Sequence, residues 1–185
     1  MNEIASNSPD LKPDELEAKG FQLYKSRRYG EAAETFQLAV EEYLLDGRPL
    51  KAAEMKNNLC VALLQDKQPQ EALEAVSGTE DLFAEAGDQH KLAVALSNQG
   101  TALKELKDRE PAVGKFRQAA EIFQELGQMD NYLQVMQSIS SLELGSGNPL
   151  GAAAAMRAGL ENVEKLTIRQ RVLKTLLKIP GKIVR

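Results

Sequence analysis

The chain has no tryptophan, one cysteine and one histidine in 185 residues. The lone Cys60 excludes an internal disulfide and fits a reducing compartment. His90 lies just past Gly87, with no cysteine at ligand or triad spacing, so neither a metal site nor a histidine-dependent nucleophile can be assembled around it. Aromatic residues make up only 5%, against 43% hydrophobic residues in all, which suits closely packed helices better than an aromatic-rich sheet. No run approaches the roughly 18 apolar residues needed to span a bilayer. Met1 to Lys12 lack the apolar stretch of a secretory signal, so a soluble, cytoplasmic protein is expected. A phosphate-cradling loop is also missing, because Gly145-Ser146-Gly147 carries no lysine. No catalytic, cofactor-binding or metal-binding residue is expected, and no cofactor.

One further absence is local. After Glu164 there is no acidic residue, while seven basic ones follow: Lys165, Arg169, Arg171, Lys174, Lys178, Lys182 and Arg185. Residues 1–164 therefore hold 16 of the 23 basic and all 27 acidic residues, a net charge of −11. An acidic body with a basic tail points to electrostatic partners for the tail. The same body charge disfavours nucleic acid, and no aromatic residue follows Tyr132 to stack on bases.

What the sequence does have is a period. Ala32, Ala72, Ala112 and Ala152 stand 40 residues apart. Four residues after each comes a larger apolar group: Phe36, Val76, Phe116 and Met156. Twelve before each comes a small one: Gly20, Cys60, Gly100 and Ser140. A period kept through four copies without insertion is the signature of a stacked solenoid. Each copy reads as two helices, since Leu16, Gly20, Leu23 and Tyr24 keep the three- and four-residue spacing of one helical face. The second helix runs from about Glu31, with Ala32, Phe36, Ala39, Val40 and Tyr43 on one face and Gly47 ending it in a left-handed conformation. Gly87 and Gly127 recur in phase, and Asp88, Asn131 and Asn148 are expected at helix starts. This predicts eight helices between about Pro13 and Leu166, with a ninth from about Ile168 to Ile179. The Phe36 and Tyr43 columns, the latter continued by Phe83, Phe123 and Val163, are expected to fill the space between neighbouring repeats.

The run Ala32-x3-Phe36 with Ala39, repeated as Ala112 to Phe116 with Ala119, resembles the tetratricopeptide repeat. The period of 40 is longer than the family's usual ~34 and resembles its long-helix subclass. The resemblance implies an all-α, right-handed α-solenoid of four helix–turn–helix repeats plus a C-terminal capping helix. The implied division is a disordered segment 1–12, repeats at about 13–47, 48–87, 88–127 and 128–166, and a basic amphipathic helix and tail over 167–185. It also implies a concave groove lined by the first helices. In this chain the groove positions are Glu17, Phe21 and Tyr24; Asn57, Val61 and Leu64; Ser97, Thr101 and Lys104; Gln137, Ser141 and Leu144. Asn58 and Asn98 are candidates for bonding a peptide backbone. The lysine three before the small residue that clamps a terminal carboxylate is absent, Glu17 and Asn57 standing there instead.

The expected function is a non-catalytic adaptor or scaffold that holds a protein or peptide client in the groove. The alternative is a self-associating or membrane-surface module, homo-oligomeric or bound to acidic partners through Arg171, Lys174, Lys178, Lys182 and Arg185. On a helical wheel Ile168, Val172, Leu173, Leu176, Leu177 and Ile179 share one face of that tail.

Overall fold

A computed structural model describes residues 11–161 and 166–177, and all regular structure among them is helical. The elements are α1 (Pro13–Lys25), α2 (Tyr29–Leu45), α3 (Pro49–Gln65), α4 (Pro69–Val76), α5 (Thr79–Glu85), α6 (Gln89–Glu105), α7 (Arg109–Glu125), α8 (Met129–Gly145), α9 (Pro149–Glu161) and α10 (Ile168–Leu177). Consecutive helices pack as neighbours, so the chain is a helical-repeat solenoid. Of the segment expected to be disordered, Leu11 packs against the core and Lys12 begins α1 as its N-cap. The remainder of that segment lies outside the described residues.

Seven connectors share one geometry. Each is three residues long, and its middle residue is left-handed: Arg27, Gly47, Lys67, Gly87, Lys107, Gly127 and Gly147, with φ between 60° and 77°. The next residue donates its N–H back to the carbonyl five before it, as in Arg48 to Tyr43 at 2.8 Å and Gln128 to Phe123 at 2.8 Å. This is the Schellman closure, which satisfies carbonyls that a helix end leaves open. The residue that makes this bond is also the N-cap of the following helix, which is why three residues suffice. Asp88 uses its side chain in that role, accepting from Lys91 N at 3.0 Å, and Asn148 accepts from Gly151 N at 3.0 Å. Asn131 does not cap α8. Gln128 holds that place, and Asn131 sits in the first turn and donates to the Gln128 side chain at 3.0 Å.

The expected fourth helix is two helices. Ser77 turns extended (ψ 135°) and Gly78 left-handed (φ +79°), which stops α4 and lets α5 start at Thr79. The Ser77 hydroxyl donates to Leu73 O at 2.7 Å and the buried Thr79 hydroxyl to Val76 O at 2.8 Å, so side chains bond carbonyls near the break. Pro69 to Glu85 still spans the 17 residues of α3 or α7, so the period survives.

Packing corrects one expectation about the large apolar column. Phe36 and Phe116 do not simply fill space between repeats; each lies over the glycine of its own repeat. A Cβ on Gly20 would stand 2.5 Å from the Phe36 ring, and one on Gly100 would stand 2.8 Å from that of Phe116. In repeat two the same two columns hold a smaller Val76 and a larger Cys60, both fully buried. In repeat four Ser140 replaces glycine and donates to Ala152 O at 2.8 Å, while Met156 is only partly buried. Tyr43, Phe83 and Phe123 are buried, and Val163 falls outside the described residues. The core continues along the solenoid to Leu133 and Leu160, against which Leu166, Leu173 and Leu177 pack. Helix α10 thus caps the stack.

Candidate functional site

The first helices of the repeats, α1, α3, α6 and α8, carry the predicted groove residues. At the N-terminal end Phe21, Tyr24 and Val61 come together with Asn58 around a cavity of about 50 Å³ whose floor is Phe36. Phe21 is 39% exposed and meets Phe36 edge-on, with ring centroids 5.4 Å apart. Tyr24 is half-buried, its ring 5.3 Å from that of Tyr29. Leu64 is half-buried against the first repeats' core and does not line the cavity.

The next positions are polar and mostly engaged. Asn57 is buried, donates to Ala53 O at 3.4 Å and accepts from Asn98 at 3.0 Å, so this amide pair ties α3 to α6. Thr101 donates to Ser97 O at 2.9 Å, and Lys104 lies 3.9 Å from Glu105. Gln137 and Ser141 are exposed, and Leu144 is 63% exposed.

A charged ladder that the sequence reading missed runs along these same helices. Arg48 reaches Asp14 at 3.4 Å, and the Tyr43 hydroxyl is shared between Asp14 at 2.8 Å and Glu17 at 2.6 Å. Lys51 follows, 3.8 Å from Glu17 and 3.1 Å from Glu54, and Lys91 sits 3.1 Å from Glu54 and 2.8 Å from Asp88. The hydrogen bond from Tyr43, and then that from Arg48, holds the Asp14 carboxyl below its usual range. Lys91 does the same to Asp88, and is itself raised by Asp88 and Glu54. Burial, reinforced by Glu17 and Asp14, pushes the Tyr43 phenol up. The signal in the sequence was the 40-residue spacing of Lys51 and Lys91, a second periodic column hidden by its change to Asn131 in repeat four.

Away from this face, Cys60 is fully buried and its thiol is pushed up to about 12 by that burial, as suits an inert packing residue. His90 is exposed and pairs with Gln128 at 2.9 Å. In α10 the expected single apolar face is divided. Leu173 and Leu177 turn inward, while Ile168, Val172 and Leu176 are exposed at 80%, 55% and 57%. Arg171 Nε donates to Leu166 O at 3.1 Å and Lys174 Nζ to Glu161 O at 2.9 Å, so both close carbonyls at the α9–α10 junction. Lys178, Lys182 and Arg185 lie outside the described residues.

Residues 51–125, from α3 through α7, match the family model of the tetratricopeptide repeat. Over that stretch the chain is similar to the tetratricopeptide repeat family. No curated protein matches it. The matched stretch includes repeat two, where Val76 and Thr79 depart from the Phe and Ala of the best copies. Tetratricopeptide repeats form a protein–protein interaction module, and their partners are generally proteins. No helix among the described residues is long and apolar enough to cross a membrane. Among the same residues no group of three or more His, Cys, Asp or Glu side chains could hold a metal.

Proposed function

We propose that the chain is a non-catalytic adaptor that docks a peptide or helix along the face of α1, α3 and α6, anchored at Phe21, Tyr24, Asn58 and Val61. The cavity there carries the reading. It is an opening of about 50 Å³ walled by Phe21, Tyr24 and Val61, with one amide, Asn58, beside it. The opening is small and lined mainly by aromatic rings and Val61, so it suits one small apolar side chain, and Asn58 can bond the backbone next to it. The ladder sets Arg48, Lys51 and Lys91 against Asp14, Glu17, Glu54 and Asp88 and so compensates most of the neighbouring charge. Attraction on this face comes from apolar burial and amide bonds and depends little on salt.

Panning a random peptide library on the intact chain tests this. The expected selection is peptides with a conserved small apolar residue. Their affinity should drop about tenfold or more in Phe21→Ala with Val61→Ala, and change little between low and moderate salt. Peptides that bind this variant as tightly as the parent, with its melting unaltered, would remove the function from this face.

A further inference from the structure

The outer side of α10 and a groove at the opposite end of the solenoid are complementary. Ile168, Val172 and Leu176 follow at four-residue intervals and form one exposed stripe, which Arg169 and Arg171 flank. No acidic residue lies in this helix. Three large apolar side chains exposed on successive turns form a contiguous patch rather than scattered surface residues.

The groove lies between α2 and α4, with α3 beneath, and has a volume of about 510 Å³. Its floor is Leu59 and Leu63, and its walls carry Glu34, Asp66, Glu71 and Glu74, with no lysine or arginine among the lining residues. A sister groove of about 470 Å³ recurs between α7 and α9, but there Arg117 stands in place of Gln37, and Gly151 and Ala154 in place of Glu71 and Glu74. Glu121 and Glu143 also line the sister groove, so its charges are mixed and weakly acidic, whereas the first holds four carboxylates and no cation. Of the two, the first pairs an apolar floor with walls whose charged residues are all acidic, the counterpart of an apolar stripe between arginines.

We propose that α10 of one molecule docks its Ile168–Val172–Leu176 stripe in the α2/α4 groove of a second copy. Leu173 and Leu177 fix α10 on the last repeat, while the groove belongs to the first two, so donor and acceptor surfaces meet only between molecules. The contact is heterologous and propagates head to tail. It leaves the face of α1, α3 and α6 open, and so is independent of the peptide-docking reading.

Sedimentation and light scattering of the full chain decide it. The expected parent mass rises with concentration above the single-chain 20.3 kDa and falls back as salt is added. Val172→Glu, or Arg169→Glu as a second tail variant, should be monomeric, and so should Glu71→Lys with Glu74→Lys. All these positions are exposed, so each variant should melt like the parent. Mixing a tail variant with the groove variant leaves one intact donor and one intact acceptor, and should give a 1:1 dimer and nothing larger. A parent that stays monomeric at every concentration overturns the proposal, including one that instead binds phosphatidylserine vesicles. So does a mixture that remains monomeric, which would place the contact between two α10 helices or elsewhere.

Discussion

Gly100 and Phe116 show how single residues hold a repeat together. The ring occupies the space that a Cβ would need, 2.8 Å from where that atom would sit. Gly100→Ala should therefore lose about 1–3 kcal/mol to overpacking despite its better helix propensity, and Phe116→Ala about 3–5 kcal/mol. Combined, the new methyl enters the vacated space, so urea unfolding should give a double-mutant loss at least about 1 kcal/mol smaller than the sum. Tyr43 acts through charge instead. Asp14 is held below its usual range by Tyr43, so its contribution to stability is present above the unfolded carboxyl value of about 3.8 and is lost as pH falls through the lowered one. Tyr43→Phe should flatten the acid-side loss of stability below about pH 4, measured by unfolding at low salt. The small and large columns were legible in the sequence because packing repeats every 40 residues. Their pairing within one repeat was not, since periodicity gives the face of a helix and not which neighbour it meets.

At the scale of the element, the three-residue connectors set helix length and direction. Glycines at 47, 87 and 127 announced the left-handed position, whereas Arg27, Lys67 and Lys107 adopt it with no such mark. Those three spend conformational energy that glycine would not, roughly 1 kcal/mol each. Lys107→Gly should thus raise stability by up to about 1 kcal/mol, and Gly47→Ala, whose Cβ would touch nothing, should lower it by about as much. Thermal unfolding of the two variants beside the parent checks both signs. The division of α4 from α5 escaped the sequence reading because Val76-Ser77-Gly78-Thr79 keeps the residue count. Only Gly78 hinted at a stop, and the carbonyls near that stop are satisfied by Ser77 and Thr79 hydroxyls whose roles depend on the break itself.

For the whole molecule, the solenoid is closed at one end by a helix with two different sides. Leu173 and Leu177 face the last repeat while Val172 does not. Replacing both leucines by alanine should cost about 2 kcal/mol or more in thermal unfolding, and Val172→Ala under about 0.5. The helical wheel placed all of these on one face, because a wheel assumes one neighbour and α10 divides its apolar residues between the stack and solvent. The groove end was more legible: Phe21, Tyr24 and Val61 do share a cavity. Asn57 was harder to foresee, since its amide is spent inside the wall on Asn98. The recurring connectors carry a consequence for change in chain length. Left-handed residues fall every 20 positions from Arg27 to Gly147, so the molecule is ruled like a gauge in which like marks return every 40. Loss or duplication of a 40-residue cassette between like marks would rejoin ends of the same backbone geometry and leave the remaining repeats whole. A change of 20 would preserve the helices yet set inner helices in outer places, and a change of any other size would spoil the ruling itself.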